Sequence, residues 1–435
     1  MSQASSDAVL AARERYRAAN RLSEAATVEA ARNLPGGNTR TVLYHAPFPL
    51  RFDKGVGCEL IDVDGHRYLD FLGEYTAGIC GHSHPLIHQA VARALDLGLS
   101  MGGHHVAEPR FAAAVCERFG LELVRFTNSG TEANLMAIGA ARAFTGRDAL
   151  IAIDGGYHGG VLSFDHGRSS VNAPFDVTLC GFNDLASFES AFAALDDRVA
   201  AVILEPMLGS GGCIAATPAF LDGVVSLAHA HGALVIFDQV MTSRVGRRGL
   251  AADYGIQPDL MTLGKYLGGG FSVGAFGGRR DVMELFDPAR PGAIGHAGTF
   301  NNNTMTMTVG LTAITEIYTE DEAARLSALG DEFRSRMNDA FAGRGLPFVV
   351  SGRGSMNVLH PQPVAPTRPA ELTGDSALRE LVFLGLLERG IYIAPRGMIN
   401  LSVVHGLDHL ETLANGLLDV CESLRDLTLG DQRTR

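Results

Sequence analysis

The chain has 435 residues, 46% of them hydrophobic and 19% charged, the make-up of a soluble globular protein long enough for two or three packed units. A net charge of −12 offers no basic footprint for nucleic acid or an anionic membrane surface and argues against both as partners. The six cysteines are dispersed with no C-x-x-C pair, no apolar run reaches membrane-spanning length and the first residues lack an apolar leader core, so a reduced, cytoplasmic protein is expected.

Residues 7–32 read as one polar, alanine-rich helical segment, closed by Pro35-Gly36-Gly37. CELIDVDGHRYLDF then sets two alternating runs around Asp64-Gly65, which is a hairpin signal. A helix is expected after His84-Pro85, over about 86–98. From about residue 110 short runs rich in Val, Ile and Leu alternate with helical stretches such as 131–144. These runs are VRFTNS, ALIAID, VAAVILEP, ALVIFD, DLMTLG and VGAFGG, and their lack of alternation indicates strands buried on both faces. The expected class is α/β, with a mostly parallel central sheet in a large domain. Beyond about 300 the pattern changes to helices over about 303–342, strands near 354–359 and 398–403, and a final helix over about 407–426. Residues 361–374, the Pro-rich stretch, read as a surface connection. The domain division expected is 1–75 (helix and hairpin, part of the small domain), 76–300 (large domain) and 301–435 (connecting helices and the small α+β domain).

Ligands in open α/β sheets bind at the carboxyl ends of strands, and three polar features fall there. Ser129-Gly130-Thr131 joins the strand VRFTN to a helix; a glycine turn and the free amides of a helix start form an anion site, and a plain Ser/Thr cap gives the same sequence. Asp238 ends the apolar run ALVIF, where a carboxylate is costly unless it meets a cation or neighbouring backbone amides. A protonated pyridine nitrogen is one such cation. Lys265 ends DLMTLGK; desolvation after a buried strand lowers a lysine pKa and leaves a nucleophilic amine, whereas a snorkelling side chain stays charged. Asp238 and Lys265 stand 27 residues apart, about one strand-to-strand step, so both can face the crevice onto which the Ser129 turn opens. A Walker A loop is excluded, because Tyr266 follows Lys265 where a Ser or Thr is required. No metal is expected: His82-Ser83-His84 and His104-His105 match no ligand spacing.

The segments NSGTEAN, GGYHGG, ILEPM, LVIFDQVMTS, TLGKYLGGG and GTFNNN, in this order, resemble the class III aminotransferases of pyridoxal-phosphate fold type I. The likeness runs from PGGNTR at 35–40 to the last helix and is greatest to the β-phenylalanine (β-amino acid) aminotransferases and the glutamate-1-semialdehyde aminomutases. It implies pyridoxal 5′-phosphate held as an imine on Lys265, Asp238 on the pyridine nitrogen, and Ser129, Gly130 and Thr131 on the phosphate. It also implies Tyr157 stacked on one ring face with Val240 near the other, and Thr299 reaching the phosphate of a neighbouring subunit in a homodimer. The chain departs from the family at Gln239, where a glutamate is usual.

For substrate, the resemblance points to Arg40 in PGGNTRTVLYHAPFP and Arg396 in YIAPRG as carboxylate clamps, a task that suits a planar guanidinium. Two clamps allow one pocket to take a β-amino acid donor and then a 2-oxo acid acceptor, with an aromatic β-amino acid as the first expectation. Carboxylate-free amines are the alternative. Aminomutase chemistry is less well matched: the stretch between YHGG and GFND is short, the segment around Arg40 differs from the aminomutase pattern, and GTFNNN replaces GT-x-x-GNP.

Overall fold

The computed structural model describes residues 3–427, apart from 165, 166, 168, 373 and 374. Seven strands form the central sheet: β1 (Leu123–Thr127), β2 (Ala149–Ile153), β3 (Asp176–Cys180), β4 (Val199–Leu204), β5 (Leu234–Asp238), β6 (Leu260–Gly264) and β7 (Gly274–Gly278). Their order across the sheet is β1-β7-β6-β5-β4-β2-β3. β7 runs against both of its neighbours, and the other strands are parallel to one another, as expected for this α/β class.

Every residue of β2, β4, β5, β6 and β7 is buried, which explains why these strands read as unbroken apolar runs. Successive side chains go to opposite faces. Ala152, Ile203 and Ile236 pack with Ala133, Ala137 and Ile138 of the helix Gly130–Thr145. Ile151, Val202 and Val235 pack on the other face with the helices Leu185–Leu195 and Pro218–Ala230. Each valine and isoleucine among them contributes about 1.5–3 kcal/mol on burial, so this two-sided core fixes the sheet and with it the strand ends.

The chain ends meet in a second sheet, in which the strand Ile391–Tyr392 lies parallel to Arg67–Asp70 of the expected hairpin. A third sheet combines Val349–Arg353, Met356–His360 and Met398–Asn400. The N-terminal segment is two helices, Gln3–Ala19 and Arg21–Ala30, rather than one. The buried Asn20 side chain donates to the Tyr16 carbonyl, and Asp64 of the hairpin turn accepts the N–H groups of Leu22 and Ser23 at 2.7 and 3.0 Å. A cap supplied from 41 residues away thus restarts the helix. The helical stretch after 303 is likewise divided, into Thr304–Thr312 with a π turn and Glu320–Gly343, the latter capped by the Thr319 side chain. Among the described residues no helix is long and apolar enough to cross a membrane.

Candidate active site

The carboxyl ends of β1, β2, β4, β5 and β6 open onto one edge of the sheet. A cavity of about 560 Å³ lies there, lined by Ser129, Gly130, Thr131, Tyr157, Asp238, Val240 and Lys265, and by Arg40 from the N-terminal segment. The sheet therefore brings together the turn, the carboxylate and the amine picked out from the sequence.

Ser129 caps the helix Gly130–Thr145, its hydroxyl accepting the Glu132 N–H at 3.2 Å. The Gly130 and Thr131 amides open that helix, where the first N–H groups have no partner within it and the helix dipole favours an anion. Gly130 allows a close approach: a Cβ here would lie 2.8 Å from both Val240 methyl carbons.

Asp238 is buried, and three donors hold its carboxylate. Asn134 Nδ2 donates to Oδ2 at 2.8 Å, His158 Nδ1 lies 2.9 Å from the same oxygen, and the Val240 N–H donates to Oδ1 at 2.9 Å. Asn134 is itself fixed, donating to the His158 carbonyl at 2.9 Å and accepting from Thr262 Oγ1 at 2.6 Å. The Val240 contact is the backbone pairing that any strand-end acid could make. Asn134 and His158 go further and hold the buried charge through side-chain contacts to one of its oxygens.

Glu205, at the end of β4, is also buried; it accepts the Tyr157 N–H at 3.1 Å and the Gly209 N–H at 2.9 Å. Burial and the nearby Asp238 charge push its carboxyl up to about 7. Lys265 stands on the turn after β6 with φ 52°, a left-handed conformation that disfavours side chains by about 1–2 kcal/mol. Burial lowers its pKa, Asp238 and Glu205 oppose that shift, and Arg396 and Arg40 add to it. The chain carries only one other lysine, Lys54, which is exposed on the strand Phe52–Val56.

Arg40 lines the cavity and pairs with Glu74. Arg396 is half-buried outside the lining, its guanidinium 5.0 Å from the centre of the Tyr75 ring. Thr299 is exposed and does not line this cavity. Gln239 is fully buried and turned away from the cavity: its Oε1 accepts the Ala251 N–H at 3.0 Å and its Nε2 meets Met261 Sδ at 3.1 Å. A glutamate there would bury a charge against a thioether, so the neutral amide suits this pocket.

Sequence reasoning missed Asn134, His158, Glu205 and Thr262. All four sit inside motifs it noted, and Asn134, His158 and Thr262 stand one to three residues from positions it chose, but the pairings that place them in the site join residues 24 to 128 positions apart.

An amine, a carboxylate and a helix-start turn around one crevice of a type I sheet accord with a pyridoxal-phosphate enzyme. The chain belongs to the class III aminotransferases, the family whose sequence model, Aminotransferase class-III, matches residues 43–424. It is 46% identical over 406 residues to a beta-phenylalanine transaminase of Variovorax paradoxus, covering 93% of each chain. The solved structure of a beta-phenylalanine aminotransferase from Variovorax paradoxus superposes with a TM-score of 0.95 at 43% identity, covering 97% of this chain and 98% of that one. A glutamate-1-semialdehyde 2,1-aminomutase of Desulforudis audaxviator (strain MP104C) is 35% identical over 416 residues, covering 91% of this chain and 95% of its own length.

Proposed function

We propose that this enzyme transfers the amino group of an aromatic β-amino acid to a 2-oxo acid such as 2-oxoglutarate or pyruvate. One observation carries the substrate reading: Arg40 and Arg396 are held by consecutive residues, Glu74 and Tyr75, beside the cavity that contains Lys265. Two guanidinium groups suit a donor and an acceptor that each bear a carboxylate. The apolar side chains of Val240, Met241, Phe271 and Val273 in the same lining suit an aromatic ring. The likeness to the Variovorax paradoxus enzyme supports the same reading.

The donor set fits pyridoxal phosphate by its chemistry, with an anion site and a buried carboxylate on the walls of one cavity and an amine of lowered pKa with them. Ser129, Gly130 and Thr131 would hold the phosphate, Asp238 the ring nitrogen, Tyr157 and Val240 the two ring faces, and Lys265 the reactive carbon. When bound, this cofactor supplies an electrophilic carbon and an electron-accepting ring. Lys265 Nζ, neutral more readily than an exposed lysine, takes and returns the proton at the donor carbon. Asn134 and His158 orient the Asp238 carboxylate, and Glu205 anchors the Tyr157 backbone. Thr299, exposed in its own chain, would reach the phosphate bound by a second copy, so the working unit proposed is a cytoplasmic homodimer.

A donor panel of β-phenylalanine, β-alanine, 1-phenylethylamine of both hands and glutamate-1-semialdehyde, with 2-oxoglutarate or pyruvate, tests the proposal. Preference for β-phenylalanine, lost in Arg40→Ala far more than activity on 1-phenylethylamine, is the expected result. Equal losses on both donors exclude the clamp, and isomerised product without any acceptor points to an aminomutase instead.

A further inference from the structure

We propose that Glu74 is a specificity-determining residue, whose carboxylate competes with that of the donor for Arg40 and so sets the preference between carboxylate-bearing donors and neutral amines. The inference rests on the proposed role of Arg40 as a carboxylate clamp.

Gly73, Glu74, Tyr75 and Thr76 form a run of left-handed backbone, with φ of 54°, 49°, 51° and 82°. Only the first is a glycine, and side-chain sterics normally restrict this conformation to single residues. The surroundings enforce it. Asp70 Oδ1 accepts the N–H groups of Leu72 and Gly73 at 2.9 and 3.0 Å, Asn400 donates to the Leu72 carbonyl at 2.8 Å, and the fully buried Arg244 donates to the Thr76 carbonyl at 3.0 Å. The Tyr75 hydroxyl donates to the Val42 carbonyl at 2.8 Å and ties the run to the segment that carries Arg40. Such strain persists only where neighbours over-determine it, and it gathers at ligand sites. Its product here is one side chain on each arginine: Glu74 on Arg40 and the Tyr75 ring on Arg396.

The two arginines are therefore not equivalent. Arg396 faces an uncharged ring and keeps its charge for a ligand, with Nε buried and without a partner among the described residues. Arg40 already holds a carboxylate. Its pair with Glu74 is about half exposed on both sides, 47% and 53%. Pairs of that kind add little to stability, so another carboxylate can replace Glu74 while the buried hydrogen bonds keep the turn intact. A carboxylate-bearing donor must displace or crowd Glu74; a neutral amine meets no such competition.

The probe is 3-phenylpropionate, which has the carboxylate and ring of an aromatic β-amino acid without its amine, titrated by calorimetry into the cofactor-loaded enzyme. Glu74→Gln is expected to tighten its binding by about two- to five-fold, the range over which exposed ion pairs act. The KM for β-phenylalanine should fall by the same factor relative to that for 1-phenylethylamine. Unchanged or weaker binding overturns the proposal, because Glu74 would then only prop Arg40 in place. Should Glu74→Gln fail to load cofactor, Glu74→Asp decides the same way: its shorter arm tightens binding if Glu74 competes, and leaves it unchanged or weaker if it does not. Arg40→Ala reports on the underlying reading separately. Loss of 3-phenylpropionate binding there supports the clamp, and retained binding removes it whatever Glu74 does.

Discussion

Replacing Asn134 with leucine tests whether Asp238 depends on its side-chain hydrogen bond from Asn134. The change keeps roughly the side-chain volume and removes three buried hydrogen bonds: to Asp238 at 2.8 Å, to the His158 carbonyl at 2.9 Å and from Thr262 at 2.6 Å. The first engages a charged group, worth about 1.5–3 kcal/mol, and the other two about 0.5–1.5 kcal/mol each. The folded protein should lose on the order of 3–5 kcal/mol. Only the first contact touches the carboxylate, so the affinity of the cofactor-free protein for pyridoxal phosphate should fall by that part alone, about ten- to a hundred-fold. Absorbance titration gives the affinity, and urea unfolding followed by circular dichroism gives the stability. Thr262→Val, which loses only the 2.6 Å contact, serves as the control and should change affinity far less. Cofactor affinity within two-fold of the parent in Asn134→Leu, alongside reduced stability, refutes the reasoning: Asp238 would then keep its orientation through His158 and Val240.

The remaining predictions concern Glu205 and Gly130. With Glu205 at about 7 rather than 4.5, the native state keeps a proton that the unfolded chain has released, so this group's contribution to stability falls as pH rises from 4.5 to about 7. The loss is up to about 3 kcal/mol. The thermal midpoint of cofactor-free parent should therefore drop more between about pH 5 and about pH 8 than that of Glu205→Gln, and equal drops would remove the buried-proton account. Gly130→Ala places a methyl 2.8 Å from the Val240 methyl carbons, an overpacking worth about 1–3 kcal/mol that should weaken cofactor binding. Adding Val240→Ala should restore it, and no recovery in the double variant would show that the helix start fails for another reason.

How much of this was legible in the sequence follows from what each feature depends on. β4, β5 and β6 were plain because a strand buried on both faces has to be a continuous apolar run. β3, at the sheet edge, reads Asp-Val-Thr-Leu-Cys with only Val177 and Cys180 buried; it escaped notice because an edge strand needs no such run. The helix Ser376–Leu387 was overlooked beside the Pro-rich loop, although Asp375 caps it in the ordinary way. Asp238 and Lys265 stood out because a charged group ending an apolar run is costly and needs a reason. Asn134 gave no such sign: an amide one turn into a helix looks ordinary until a partner 104 residues away is seen beside it. Glu74 was invisible for a stronger reason. Left-handed turns are read from glycines, and three of the four residues here are not glycine; contacts from Asp70, Arg244 and Asn400 impose the conformation.

Reduction of the cofactor-loaded enzyme with borohydride, followed by peptide mapping, tests the central assignment with little ambiguity, since Lys54 is the only competing lysine. The pyridoxyl group is expected on the peptide containing Thr262–Gly270, at Lys265. Its recovery on Lys54 or the N-terminus, with Lys265 unmodified, would contradict the account.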